Sequence, residues 1–138
     1  MDINTQADAV SRRPIEVVNA VYEAYARRDL QKIATLYHPD CELMQTEELP
    51  WGGVYRGHAG LARFFERLTQ TIDTQIVGET LIEAGNDVVS VGRTKGVALK
   101  TGRPFELDAV HVYTIEDGRI RRSAAYVNTP AMRRAIGA

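Results

Sequence analysis

From Ile15 onward the apolar positions fall at Val18, Val21, Tyr22 and Tyr25. That is the i, i+3, i+4, i+7 spacing of one helical face. Pro14 suits the first turn, where its missing N–H costs nothing, and Ser11 is a candidate cap. Arg27 and Arg28 close the helix with charge favourable to its C-terminal dipole. Asp29 then caps a second, short helix, Leu30 to Tyr37, which buries Leu30, Ile33 and Leu36 or Tyr37. Pro39 ends it, because a residue before proline is disfavoured in the helical region. Cys41 to Thr46 reads as a strand, and Glu47 to Gly57 as a shaped loop around Trp51. A third helix runs from Leu61 to Thr71 with Leu61, Phe64, Phe65 and Leu68 as its buried stripe. There the period changes from 3.6 to 2. Gln75 to Glu83 and Asp87 to Leu99 are strands joined by Gly85-Asn86, and Phe105 to Tyr126 is a hairpin turning at Asp117-Gly118. Thr129 caps and Pro130 opens a short terminal helix ending at Ile136.

Helices early and strands late give an α+β layout. The strands form one curved antiparallel sheet with three amphipathic helices on its concave side. A bent sheet and a helix layer do not fill the space between them, which makes that space a place for a small-molecule pocket. Residues 1–13 read as a flexible polar tail and residues 14–138 as a single domain.

Composition narrows the function classes. The 138 residues are 44% hydrophobic and 25% charged, with a net charge of −1. A domain of this length buries roughly 70% of its unfolded surface and needs no staples. There is no basic excess to neutralise phosphates, so no nucleic-acid partner is expected. No apolar run approaches the ~20 residues of a membrane span, so no membrane partner is expected either. The N-terminus lacks the pattern of a secretory signal, and a cytoplasmic location is the default. Cys41, the only cysteine, reads as a small buried hydrophobe. The histidines lie in separate elements without ligand spacing, so neither a metal nor another cofactor is expected.

Several segments carry a resemblance to a known family. They are VNAVYEAYARRDLQKIATL (Val18 to Leu36), the strand entry Asp40-Cys41-Glu42-Leu43, Tyr55-Arg56-Gly57-His58, Phe64-Phe65 and Asp117-Gly118-Arg119-Ile120. The chain resembles the nuclear-transport-factor-two-like superfamily, in its SnoaL-like and ketosteroid-isomerase-like branch, over about residues 14 to 136. The resemblance implies a cone-shaped, cystatin-like α+β barrel, with the curved sheet wrapped around three N-terminal helices and a deep cavity inside. It also implies a homodimer through the outer face of the sheet. The superfamily holds isomerases, cyclases, hydrolases, dehydratases, transport factors and non-catalytic domains, so the fold alone does not name an activity.

Position by position, two family catalytic acids are replaced. The isomerase base corresponds to Gln45 and the cyclase aspartate to Asn128, and an amide cannot take a proton at neutral pH. The isomerase acid that donates to the oxyanion corresponds to His111. The isomerase tyrosine falls near Val21, and on a helical wheel Tyr25 is the inward substitute rather than Tyr22.

The candidate chemistry follows from these positions. His111 sits on an otherwise apolar strand, where a neutral imidazole can hold a carbonyl or enolate oxygen. Glu47, beside Trp51, and Asp108, on the His111 strand, are the candidate proton carriers. Tyr25, Gln45, Trp51, Tyr55, Phe64, Tyr113, Tyr126 and Asn128 are candidate substrate contacts. Which residues of the last strand share the face of His111 depends on register, either Arg122, Ala124 and Tyr126 or Arg121, Ser123 and Ala125. Two functions remain open. One is a cofactor-free isomerase, cyclase or hydrolase acting on a hydrophobic carbonyl compound. The other is a non-catalytic domain that binds a small apolar ligand or dimerises.

Overall fold

The computed structural model describes residues 13–138, and the expectation of a flexible tail lies, Arg13 apart, outside the described residues. Among the described residues, four helices and six strands follow one another as α1 (Pro14–Ala26), α2 (Leu30–Leu36), β1 (Tyr37–Gln45), β2 (Gly53–Arg56), α3 (Gly57–Thr71), β3 (Ile72–Ala84), β4 (Asp87–Ala98), β5 (Pro104–Glu116), β6 (Arg119–Val127) and α4 (Thr129–Ile136). The strands form one curved, unclosed sheet in the order β2-β1-β6-β5-β4-β3. The α+β layout and its curved sheet are as the sequence implies.

The last four strands form the expected antiparallel meander. At its tip Asp117 and Gly118 both have positive φ, 54° and 73°, as a tight hairpin turn requires. β1 differs from the all-antiparallel expectation. It pairs with β6 in parallel, through Glu42↔Arg122, Leu43↔Ser123 and Met44↔Ala124. A parallel pair needs a long crossover, and here most of the domain lies between the two strands. Register shifts near Tyr37–Glu42, Val77–Thr80 and Thr114–Ile115 bend the sheet. Gly78, with φ 63°, supplies the backbone conformation for the β3 bulge.

Several element ends shift from the sequence reading. Tyr37 begins β1 rather than ending α2, and α3 starts at Gly57, four residues earlier than its apolar stripe. β2 lies inside the segment read as loop, because pairing with β1 through Leu43↔Tyr55 supplies order that a four-residue pattern cannot announce. Asn128, not Thr129, caps α4, its side chain accepting from the Ala131 N–H.

The core lies between the concave face of the sheet and the first three helices. Val17, Val18, Val21, Ile33, Leu36, Phe64, Phe65 and Leu68 are buried against Tyr37, Leu43, Val88, Tyr113 and Ile120. Leu30, expected in this core, is 44% exposed, because Ile33 and Leu36 already fill the face of a two-turn helix. The convex face is not polar. Cross-strand pairs Ile82↔Val89, Val89↔Val112, Val112↔Ala124, Ala124↔Met44 and Met44↔Val54 place an apolar row across all six strands. A second row, Val91↔Val110↔Tyr126, runs beside it. No helix among the described residues is long and apolar enough to cross a membrane.

Candidate functional site

A cavity lies between the helices and the inner face of the sheet. Its wall includes Val21, Tyr22 and Tyr25 from α1, Leu43 and Gln45 from β1, Phe64, Phe65 and Leu68 from α3, His111 and Tyr113 from β5, and Met132 from α4. Its free volume is about 110 Å³, and no Asp, Glu, Lys or Arg lines it among the described residues. The polar side-chain groups of the wall are hydroxyls, one amide, one indole N–H and one imidazole.

The imidazole is placed by strand alternation. His111 and Tyr113 are two apart on β5 and so share a face. Their rings stack, with centroids 6.0 Å apart and planes within 7°. Tyr22 meets His111 edge-on at 6.3 Å and Tyr113 edge-on at 6.0 Å. The Tyr113 hydroxyl donates to the Tyr22 hydroxyl at 3.1 Å, which leaves the Tyr22 proton free for another acceptor. Ser90 stands opposite His111 on β4. Its hydroxyl is buried near that of Tyr22 but makes no hydrogen bond of good geometry.

Burial fixes the charge state. It lowers the pKa of His111 to about 4. The ring is therefore neutral at physiological pH, with one N–H and one free lone pair. Burial likewise pushes the phenols of Tyr22, Tyr25, Tyr37 and Tyr113 above their ordinary range, so all four stay protonated. The wall can donate to an oxygen and accept one proton, and it holds no net charge.

The sequence candidates divide by position. His111, Tyr25, Gln45, Trp51, Phe64 and Tyr113 all line the cavity. Trp51 is 2% exposed and donates from Nε1 to Gln45 Oε1 at 2.9 Å, which pins the amide against the wall. Tyr55 is buried one layer behind, donating to the carbonyls of Trp51 and Gly52, accepting from Arg67 and meeting Phe64 edge-on. Glu47 is exposed on the β1–β2 loop, away from the wall. Asp108 is exposed on the convex side, one position off the His111 face. Its cross-strand neighbour Arg93 pairs with Glu106 instead, at 2.8 Å. The register His111↔Ala125 and Tyr113↔Ser123 selects the Ser123 face of β6. Tyr126 consequently points outward, 59% exposed. Asn128 is occupied as the cap of α4.

Other groups were not signalled by the sequence. Tyr22 is in the wall, although its direction on the helical wheel is about 100° from Val21. The curved sheet covers α1 on more than one side, so a wide sector of that helix faces the cavity. Tyr37, whose hydroxyl donates to Ser123 Oγ at 3.1 Å, and the bonded pair Thr74–Thr94 also line it. Outside the cavity, folding brings His38 beside Glu116 and Asp117, with their ligand-type atoms within 4.8 Å of one another. Exposed carboxylates cluster in this way without any ion. Cys41 is buried, and its thiol is pushed up by burial, away from nucleophilic use.

Comparison with known proteins agrees with this geometry. The profile of the SnoaL-like domain matches residues 18–123. A nuclear-transport-factor-two-like protein of unknown function from Burkholderia pseudomallei superposes with a TM-score of 0.85 and 29% identity, covering 91% of this chain and 98% of that one. TerC, crystallised with polyporic acid, gives a TM-score of 0.84, 29% identity and the same coverages, 91% and 98%. A candidate polyketide cyclase from Xanthomonas campestris shares the fold at 22% identity, with a TM-score of 0.80 over 91% of this chain and 97% of that one. No protein of curated function matches the chain. With most of its length matched by the family profile, and with the curved sheet and helix layer in place, the chain belongs to the SnoaL-like domain family.

Proposed function

We propose that the cavity binds a hydrophobic, carbonyl-bearing small molecule, and that His111 moves a proton on it in cofactor-free chemistry of the isomerase or cyclase type. The observation that carries this reading is the uncharged wall in which Tyr22, Tyr113 and His111 converge. A ligand oxygen would accept from the free Tyr22 proton, whose donor strength is raised because Tyr22 already accepts from Tyr113. The neutral His111 ring offers its lone pair to a proton on the neighbouring carbon. Burial makes an isolated imidazolium costly, but an enolate formed beside it offsets that cost, so the proton transfer and the charge pair arise together. TerC supports the ligand class, since polyporic acid is an aromatic hydroxyquinone bearing carbonyl oxygens.

One observation favours a second reading. Among the described residues the wall holds no carboxylate, and on the family resemblance Gln45 and Asn128 correspond to acids of related enzymes, which suits binding without turnover. A panel of enones, lactones and epoxides separates the two. Under the first reading the wild type converts at least one compound, and His111→Ala lowers kcat by a hundredfold or more, the scale of a lost general base. Binding of panel members with no conversion by the wild type would favour the second reading.

The outer apolar rows support a homodimer through the convex face, as a single contiguous strip of this kind is normally covered. Val112 lies at the centre of the longer row. Val112→Lys should shift the molecular mass in sedimentation from two chains to one while leaving the far-ultraviolet dichroism unchanged. A wild type that sediments as a monomer at micromolar concentration would refute the dimer. A cytoplasmic location remains part of the same proposal.

A further inference from the structure

Tyr25 and Thr74 border two spaces at once. They line the interior cavity, and they also line an outer hollow that includes Arg28, Leu30, Asp73 and Leu99. Leu30 and Leu99 stand in this hollow 44% and 51% exposed, an apolar lip where the surface would otherwise be polar. Ile72 borders both as well, so Tyr25, Ile72 and Thr74 are the residues shared by the two spaces.

The ring is held from outside by Arg28. The guanidinium lies over the ring, 4.3 Å from its centroid. It donates to the Tyr25 carbonyl at 2.9 Å, to the Thr74 carbonyl at 2.6 Å and to Asp73 Oδ1 at 3.0 Å. The Tyr25 hydroxyl donates to that same Thr74 carbonyl at 3.1 Å. One carbonyl of β3 thus anchors both the ring and the arginine that covers it. Arg28 itself has φ 56°, a conformation unusual for a residue with a side chain. That conformation turns the chain sharply between α1 and α2 and returns the side chain over the ring.

We propose that Tyr25 is a side-chain door between the outer hollow and the cavity, with Arg28 as its latch. The proposal rests on the reading of the interior as a ligand cavity. The Asp73 contact is exposed and the two carbonyl contacts are only part-buried, so water can reach the guanidinium and the latch releases without unfolding of the helix or the sheet. Once the guanidinium leaves, the ring can rotate into the space beside Leu30 and Leu99, and the apolar lip gives an apolar ligand its first contact.

Trp51, the only tryptophan, lines the cavity and reports on access to it. Quenching of its fluorescence by acrylamide tests the door without any ligand. Arg28→Met keeps the stem and removes the latch. It should raise the quenching constant by about tenfold, the factor carried by one hydrogen bond to a charged group. Tyr25→Phe keeps the ring and removes its own anchor, and should raise the constant in the same direction. Wild-type quenching in a folded variant of either kind would overturn the door. A neutral naphthylamine probe that accepts energy from Trp51 adds the kinetic readout. In Arg28→Met its association and dissociation rates should rise together with little change in Kd. Rates equal to the wild type would again overturn the proposal. A probe that never reaches Trp51 would count against the ligand cavity itself, while the acrylamide result decides the door separately.

Discussion

Acidification from neutral pH to about pH 4 will cost the wild-type protein up to about 3 kcal/mol more than it costs His111→Phe. The sign follows from the burial of the ring. In the folded chain the His111 pKa is lowered to about 4, against 6.5 for the unperturbed group. Between those values the unfolded state binds the proton and the folded state does not. Stability therefore rises with pH through the window and is fully present above 6.5. It falls as the pH drops toward the folded value. A shift of this size corresponds to about 3 kcal/mol at 1.36 kcal/mol per unit, an upper figure because water reaching the ring reduces it. Paired carboxylates add their own acid dependence to both proteins, so the difference between the two curves isolates His111. Denaturant melts at a series of pH values measure it. Parallel curves would show that the ring is hydrated in the folded state.

Trp51→Ala will destabilise the fold by about 3–5 kcal/mol, the range for removing a buried aromatic side chain. The indole is 2% exposed and stands between the β1–β2 loop and the cavity. Its loss would open a hole continuous with that cavity and leave Gln45 Oε1 without its donor at 2.9 Å. Gly52 next to it packs tightly against the neighbouring backbone, where a Cβ would lie 1.8 Å from the Thr46 carbonyl oxygen. For a domain of this length the melting temperature should fall by about 10–20 °C. Trp51→Phe, which keeps most of the volume, should cost less than half as much. A fall of only a few degrees in the alanine variant would mean that the loop collapses to refill the space.

Most of the fold is legible in the chain because its helices and strands carry clean periodicities. The stripe Leu61, Phe64, Phe65 and Leu68 and the hairpin around Asp117-Gly118 each need only local information. β2 was not legible, because its four residues are ordered by a partner strand rather than by their own pattern. The parallel pairing of β1 with β6 was hidden for the same reason, as no local signal distinguishes the direction of a neighbour. The site was partly legible. His111 stands out as a polar residue on an apolar strand, and alternation then brings Tyr113 with it. Tyr22 does not stand out, because a helical wheel assumes that only one side of a helix is buried, whereas here the sheet curls around α1. Glu47 and Asp108 are carboxylates close in sequence to the elements that build the site. Their side-chain directions depend on loop path and strand face, which spacing alone did not resolve.

A crystal structure with a bound carbonyl ligand, either one that co-purifies or an aromatic hydroxyquinone supplied in excess, tests the central claim most directly. The expected result is a ligand inside the cavity with one oxygen about 3 Å from the Tyr22 hydroxyl or a His111 nitrogen, a normal hydrogen-bond distance. A ligand seated only on the convex face, or an oxygen turned away from both groups toward Thr74 and Thr94, would contradict it.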